Sequence, residues 1–105
     1  MPNPKFSIIT VTFNAEKTIR RTLKSVASQS YTHIEHIIID GASQDGTLNI
    51  VKEYPSSVSK VISEPDHGIY DAMNKGIREA TGDYLCFLNA GDRLHNAHTL
   101  ESVAD

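Results

Sequence analysis

The stretch Ile34-Glu35-His36-Ile37-Ile38-Ile39-Asp40-Gly41-Ala42-Ser43 holds three consecutive isoleucines and then turns abruptly polar. β-Branched residues that follow one another without polar alternation fit a strand buried on both faces, as in a parallel sheet covered by helices. The strand is read as Ile34 to Asp40, and Gly41 to Gly46 as a polar turn.

Upstream, Phe6, Ile8, Ile9 and Val11 form another β-rich segment from Phe6 to Thr12, and it stops at Asn14, whose side-chain oxygen can cap a helix. Ile19, Leu23, Val26 and Ala27 then fall on one stripe of an amphipathic helix ending near Ser28. Downstream, Leu48, Val51 and Tyr54 mark a short helix stopped by Pro55, and Val58 to Ser63 is a weaker strand. Gly68 opens a longer helix in which Ile69, Ala72, Met73, Gly76, Ile77 and Ala80 recur at helical spacing, closed by Thr81-Gly82. Tyr84 to Leu88 reads as a fourth strand, and a last short helix begins near Thr99. Strands alternating with helices predict one α/β domain with a mainly parallel sheet and right-handed crossovers, without linker or repeat.

Composition narrows the function classes. A chain of 105 residues with 39% hydrophobic and 22% charged residues is one domain, neither disordered nor fibrous. Ten Lys plus Arg against thirteen Asp plus Glu give a net charge of -3, so nucleic acid is not an expected partner. No apolar run approaches the roughly 18 to 20 residues of a membrane span, and no secretory signal is expected. The single cysteine, Cys86, cannot form an internal disulfide, which points to a reducing, cytoplasmic setting. It offers no zinc spacing either, so any metal should be a hard cation on oxygen ligands.

In open α/β sheets ligands bind beyond the carboxyl ends of the strands. Here those ends read Thr12-Phe13-Asn14, Asp40-Gly41-Ala42-Ser43, Glu64-Pro65-Asp66-His67 and Asn89-Ala90-Gly91-Asp92. Asp40 fits two roles, a carboxylate accepting from a base or ribose, or the cap of the following turn. Asp45-Gly46-Thr47 is read as turn chemistry launching a helix. The first strand is followed by no glycine-rich loop, against a nicotinamide-dependent enzyme, so a bound diphosphate would need a carboxylate-held Mg²⁺ or Mn²⁺. Asp92, beside the side-chain carbonyl of Asn89, is the candidate ligand, and a turn Asp is its alternative. Asp66 can cap the following helix, and Lys75 and Arg78 can be that helix's solvated face. His33, His36, His95 and His98 form no ligand-like constellation and are read as surface or loop residues.

Taken together, four blocks resemble the inverting family 2 glycosyltransferases, which have the GT-A nucleotide-sugar-binding fold. They are Ser7 to Asn14, Ser25 to Tyr31, Ile37 to Thr47 and Gly82 to Asp92. The run Glu64 to Ile77 is similar to a subgroup associated with bacterial surface-polysaccharide assembly. The resemblance implies a Rossmann-like fold and a nucleotide-binding site of Thr12, Phe13, Asn14, Asp40, Ser43, Asp66, Lys75 and Asn89, with Asp92 at the metal and diphosphate. It implies a nucleotide-diphospho-sugar donor, a UDP-sugar first among them, and a saccharide or lipid-linked acceptor. Two departures stand out: Asp40-Gly41-Ala42-Ser43 replaces Asp-Asp-Gly-Ser, and Asn89-Ala90-Gly91-Asp92 replaces Asp-x-Asp-Asp. The family's catalytic domain is longer than 105 residues, so residues 1–105 are expected to be its N-terminal, donor-binding part. The catalytic base and acceptor segments are then expected beyond the chain, and peripheral membrane association would reside there too. A non-catalytic nucleotide-binding or interaction module of the same fold is the alternative.

Overall fold

A computed structural model describes residues 3–104. In chain order the elements are β1 (Phe6–Thr12), α1 (Ile19–Ala27), β2 (Ile34–Asp40), α2 (Thr47–Val51), β3 (Val58–Ser63), α3 (Ile69–Glu79), β4 (Tyr84–Phe87) and α4 (Thr99–Ala104). The four strands form one sheet in the order β3-β2-β1-β4, and all three pairings are parallel. The chain builds outward from β1 to β3 and then crosses back to place β4 on the other side of β1. That reversal opens a crevice between neighbouring strand ends, the usual ligand position in a doubly wound sheet.

Strand periodicity divides the core. Ile9 of β1 and Ile37 and Ile39 of β2 pack with Ala72 of α3 on one face. On the other face Ile38 packs with Ile19 and Leu23 of α1 and Val51 of α2, and Phe6 and Ile8 pack with Val26, Leu94 and Leu100. The isoleucine run is therefore uninterrupted because helices cover both of its sides. Between β2 and β3 the register slips at His36/Ile37, and Ser59, the residue passed over, accepts the His36 N–H on its Oγ at 3.2 Å.

Three expectations change. Asn14 does not cap α1: the helix starts at Ile19, while Asn14 is left-handed at φ 46° and its Oδ1 accepts the Gln44 N–H at 2.8 Å. His36 is a core residue, since its position in β2 turns it toward the helix layer, where Nε2 pairs with Thr10 Oγ1 at 2.8 Å. On α3 the buried residues are the small pair Ala72 and Gly76, whereas Ile69 and Ile77 are 50% and 43% exposed. Close approach of this helix to the sheet selects small residues, and larger ones flank the contact. Tyr84, Leu85 and Phe87 are exposed as well, on a β4 whose only partner among the described residues is β1.

Candidate functional site

The loops after β1 and β2 are stitched to each other before they can meet any ligand. The Asn14 N–H donates to Ser43 Oγ at 2.8 Å, and Ser43 Oγ–H donates to Asp40 Oδ1 at 2.5 Å. The Ser43 N–H and Ser63 Oγ–H both reach Asp40 Oδ2 at 2.8 Å. Asp40 is fully buried, and its carboxylate shapes the β2–α2 turn, in which Ala42 is held at φ 64°. Such a conformation is strained for a residue with a Cβ and persists because its surroundings enforce it. Farther along, Asp45 Oδ1 accepts from the Thr47 N–H and hydroxyl at 3.0 and 2.5 Å, which holds its carboxyl below the usual range. Thr47 Oγ1 in turn receives the Ala15 N–H at 2.8 Å. This is the turn chemistry expected of Asp45-Gly46-Thr47.

The fourth strand end is fixed by α1. Thr22 is buried; its hydroxyl donates to the Asp92 carbonyl at 2.5 Å and accepts the Gly91 N–H at 2.9 Å. Ser25 Oγ accepts the Leu94 N–H at 3.2 Å, and Gln29 bridges Asn96 and Leu100 through 2.7 and 3.1 Å bonds. Sequence reading placed Ser25 and Gln29 in a block of the family resemblance but gave none of the three a structural role, because the helix was read from its apolar positions. Their signal was polar side chains spaced three and four apart beside Leu23 and Val26.

The strand ends enclose a cleft of about 770 Å³ lined by, among others, Thr12, Phe13, Asn14, Gly41, Asp66 and Asn89. Thr12 is buried at its wall, and its hydroxyl has no hydrogen-bond partner among the described residues. A buried hydroxyl without a partner is uncommon, and this oxygen is covered by its surroundings rather than open to the cleft. Phe13 presents its ring to solvent at 62% exposure. Asp40, Ser43, Lys75 and Asp92 do not line this cleft; the first two build its rim from beneath.

Lys75 is far from a solvated residue. Its side chain is 11% exposed, and Nζ lies 2.8 Å from Asp66 Oδ1, 3.2 Å from Glu64, 3.5 Å from Asp71 and 3.0 Å from the Pro65 carbonyl. Hydrogen bonding to Asp66 leads in raising the ammonium's pKa, so it stays charged. Asp71 accepts the His67 N–H at 3.0 Å, which with Lys75 holds its carboxyl below the ordinary range. Lys75 therefore anchors the β3–α3 loop to α3.

Asp92 is exposed, and its carboxylate makes no hydrogen bond or ion pair with the described residues. Among those residues no group of three or more His, Cys, Asp or Glu side chains could hold a metal by itself. One free carboxylate suits a cation of the Mg²⁺ type, which takes one or two carboxylates and completes its shell with phosphates and water.

The family model for glycosyl transferase family 2 matches residues 7–105. An uncharacterized glycosyltransferase of Mycobacterium tuberculosis is 46% identical over 92 residues, which are 87% of this chain and 35% of that protein. A PGL/p-HBAD biosynthesis glycosyltransferase of Mycobacterium bovis is 39% identical over 107 residues, covering 99% and 42%. Among solved structures, residues 1–349 of S. aureus TarS in complex with UDP-GlcNAc superpose with a TM-score of 0.88 at 32% identity, over 95% of this chain and 30% of that one. The mannosyltransferase PcManGT from Pyrobaculum calidifontis, in complex with GDP-Man and Mn²⁺, gives 0.84 at 25% identity, over 96% and 30%. The chain thus spans well under half the length of these proteins, and its sheet with flanking helices has their GT-A, Rossmann-like arrangement.

Proposed function

This chain belongs to glycosyltransferase family 2, and from that membership we propose that residues 1–105 form the donor-binding part of an inverting enzyme. That enzyme would move a sugar from a nucleotide-diphospho-sugar, a UDP-sugar first, to a saccharide or lipid-linked acceptor in cell-surface polysaccharide synthesis. The observation that carries this reading is the cleft at the reversal of strand order, lined by the exposed Phe13 together with Asn14, Asp66 and Asn89. An aromatic face stacks a base, and amide and carboxylate side chains around it can bond a base or ribose edge. Asn14 and Asn89 border the same space, while Asp40 and Ser43 act as positioning residues that hold the rim.

Asp92, with Asn89 close by in sequence, would hold a divalent cation at the diphosphate, Mg²⁺ or Mn²⁺. Bound there, the cation supplies Lewis-acid stabilisation of the departing diphosphate. The chain's own residues bind and orient the nucleotide. Neither candidate carboxylate among them is free to act as the base: Asp66 and Asp71 are both paired with Lys75, and Asp71 is held below the ordinary carboxylate range, away from the operating pH a base needs. Deprotonation of the acceptor, acceptor binding and any attachment to the inner membrane face are assigned to segments outside these residues, and the whole enzyme to the cytoplasm. No helix among the described residues is long and apolar enough to cross a membrane.

Calorimetric titration of this chain with UDP and GDP, with and without Mn²⁺, tests the proposal, together with a transfer assay against a longer form of the protein. Metal-enhanced nucleotide binding without turnover is the expected result. No binding of either nucleotide refutes donor binding, and transfer at the longer form's rate refutes the division of labour.

A further inference from the structure

At the position where the family resemblance leads one to expect a second carboxylate, this chain has Gly41. The space beside Gly41 is nevertheless taken. A Cβ built on Gly41 would lie 3.0 Å from Asp66 Oδ2 and 3.4 Å from Phe13 Cδ1. Asp66 belongs to the β3–α3 loop and lines the same cleft as Phe13 and Gly41. Its two oxygens have different surroundings: Oδ1 is held by Lys75 Nζ at 2.8 Å, whereas Oδ2 accepts no hydrogen bond from any described residue. Lys75 is itself fixed by Glu64, Asp71 and the Pro65 carbonyl, so the free oxygen is aimed rather than loosely tethered.

We propose that Asp66 Oδ2, seated over Gly41 beside the Phe13 ring, is the base-reading acceptor of this site and selects nucleotides whose base carries a ring N–H. The inference rests on the nucleotide-binding reading above and adds a specificity to it. An ionised carboxylate only accepts hydrogen bonds. Against the Watson–Crick edge of a base stacked on Phe13, it meets N3–H of uracil or N1–H of guanine, but a ring-nitrogen lone pair in cytosine or adenine. At that ring position the first pairing is a charge-assisted hydrogen bond and the second places acceptor against acceptor, leaving only the exocyclic amine, offset along the edge, to donate. Gly41 is what admits Asp66, because any side chain there would contest the space that Oδ2 fills.

The test measures binding of UDP, GDP, CDP, ADP and N3-methylated UDP to this chain, in Mn²⁺, for the native protein, Asp66→Ala and Gly41→Ala. UDP and GDP are expected to bind roughly tenfold or more tighter than CDP, ADP and methylated UDP. Asp66→Ala should bring UDP and CDP to within about twofold of each other. Gly41→Ala keeps the Asp66–Lys75 pair but crowds Oδ2, so it should erode the same preference and serves if Asp66→Ala fails to fold. Equal binding of all nucleotides by the native protein, or an undiminished preference in a folded variant, overturns the assignment while leaving nucleotide binding intact. Failure of the native protein to bind any of them overturns the donor-binding reading as well.

Discussion

Gly76 of α3 lies directly against Ile9 of β1: a Cβ at position 76 would come within 2.3 Å of Ile9 Cγ2. Both are buried, and Ile9 is enclosed by neighbouring strands. Gly76→Ala should destabilise the fold by about 1–3 kcal/mol, the usual cost of overpacking, although alanine is the better helix former. Urea unfolding checks this. Because the clash has one named partner atom, removing it with Ile9→Ala should cost less in the Gly76→Ala background than in the native one.

His36 gives the fold a titration. Burial pushes its pKa down from 6.5 to about 4, and only Nε2 has a partner. Between those values the unfolded chain binds a proton that the folded chain excludes. Stability is therefore full above about pH 6.5 and falls by roughly 3 kcal/mol as pH drops to about 4. Glu35 enters lower: burial opposes its ionisation, but bonds from Ser7 and Thr81 outweigh that and hold its carboxyl below the ordinary range. Its contribution is present above the ordinary carboxylate pKa and lost as acid protonates it. Denaturant midpoints from pH 4 to 7 should rise with pH for the native chain and flatten for His36→Gln.

Asp40→Ala removes one carboxylate and leaves the Ser43 N–H, Ser43 hydroxyl and Ser63 hydroxyl without their acceptor. A loss of about 2–3 kcal/mol follows from the unsatisfied groups. Nucleotide affinity should fall with it, since Ser43 also holds the Asn14 N–H. Asp40→Asn keeps one acceptor oxygen and should recover part of both. Parallel losses in melting temperature and affinity support a positioning role, whereas a loss of affinity at unchanged stability would indicate direct contact with the ligand.

Asp92→Asn should abolish the enhancement of nucleotide binding by Mn²⁺ and leave metal-free binding within about twofold. The exposed carboxylate bonds to no described residue, so stability should move by less than about 0.5 kcal/mol. Chelation of the native chain should reproduce the variant's affinity. A metal effect that survives the substitution reduces Asp92 to a turn residue.

The elements were legible wherever one side-chain property dominated. The isoleucine run of β2 and the Phe6–Thr12 segment are strands at the residues their β-branched content marks. Three strand-end loops meet at the cleft, through Thr12, Phe13 and Asn14, Gly41, and Asn89 and Ala90, with Pro65, Asp66 and Gly68 arriving from the fourth. Periodicity misled on α3, because hydrophobic counting rewards Ile69 and Ile77, whereas the sheet comes close enough to accept only Ala72 and Gly76. His36 was misread as a surface residue, and the solvated-face alternative for Lys75 fails, for a related reason. A polar residue's burial depends on a distant partner, Thr10 for one and Asp66 for the other, and local spacing carries no record of that pairing. Asp66 over Gly41 was invisible in the same way.

The exposure of Tyr84, Leu85 and Phe87 on β4 has a practical side. An edge strand with unpaired backbone groups and apolar side chains is a template on which another chain can add. Purified alone, this polypeptide should be colloidally fragile: its light scattering should grow with concentration at a net charge of only -3, and Leu85→Lys should suppress that growth without touching the cleft.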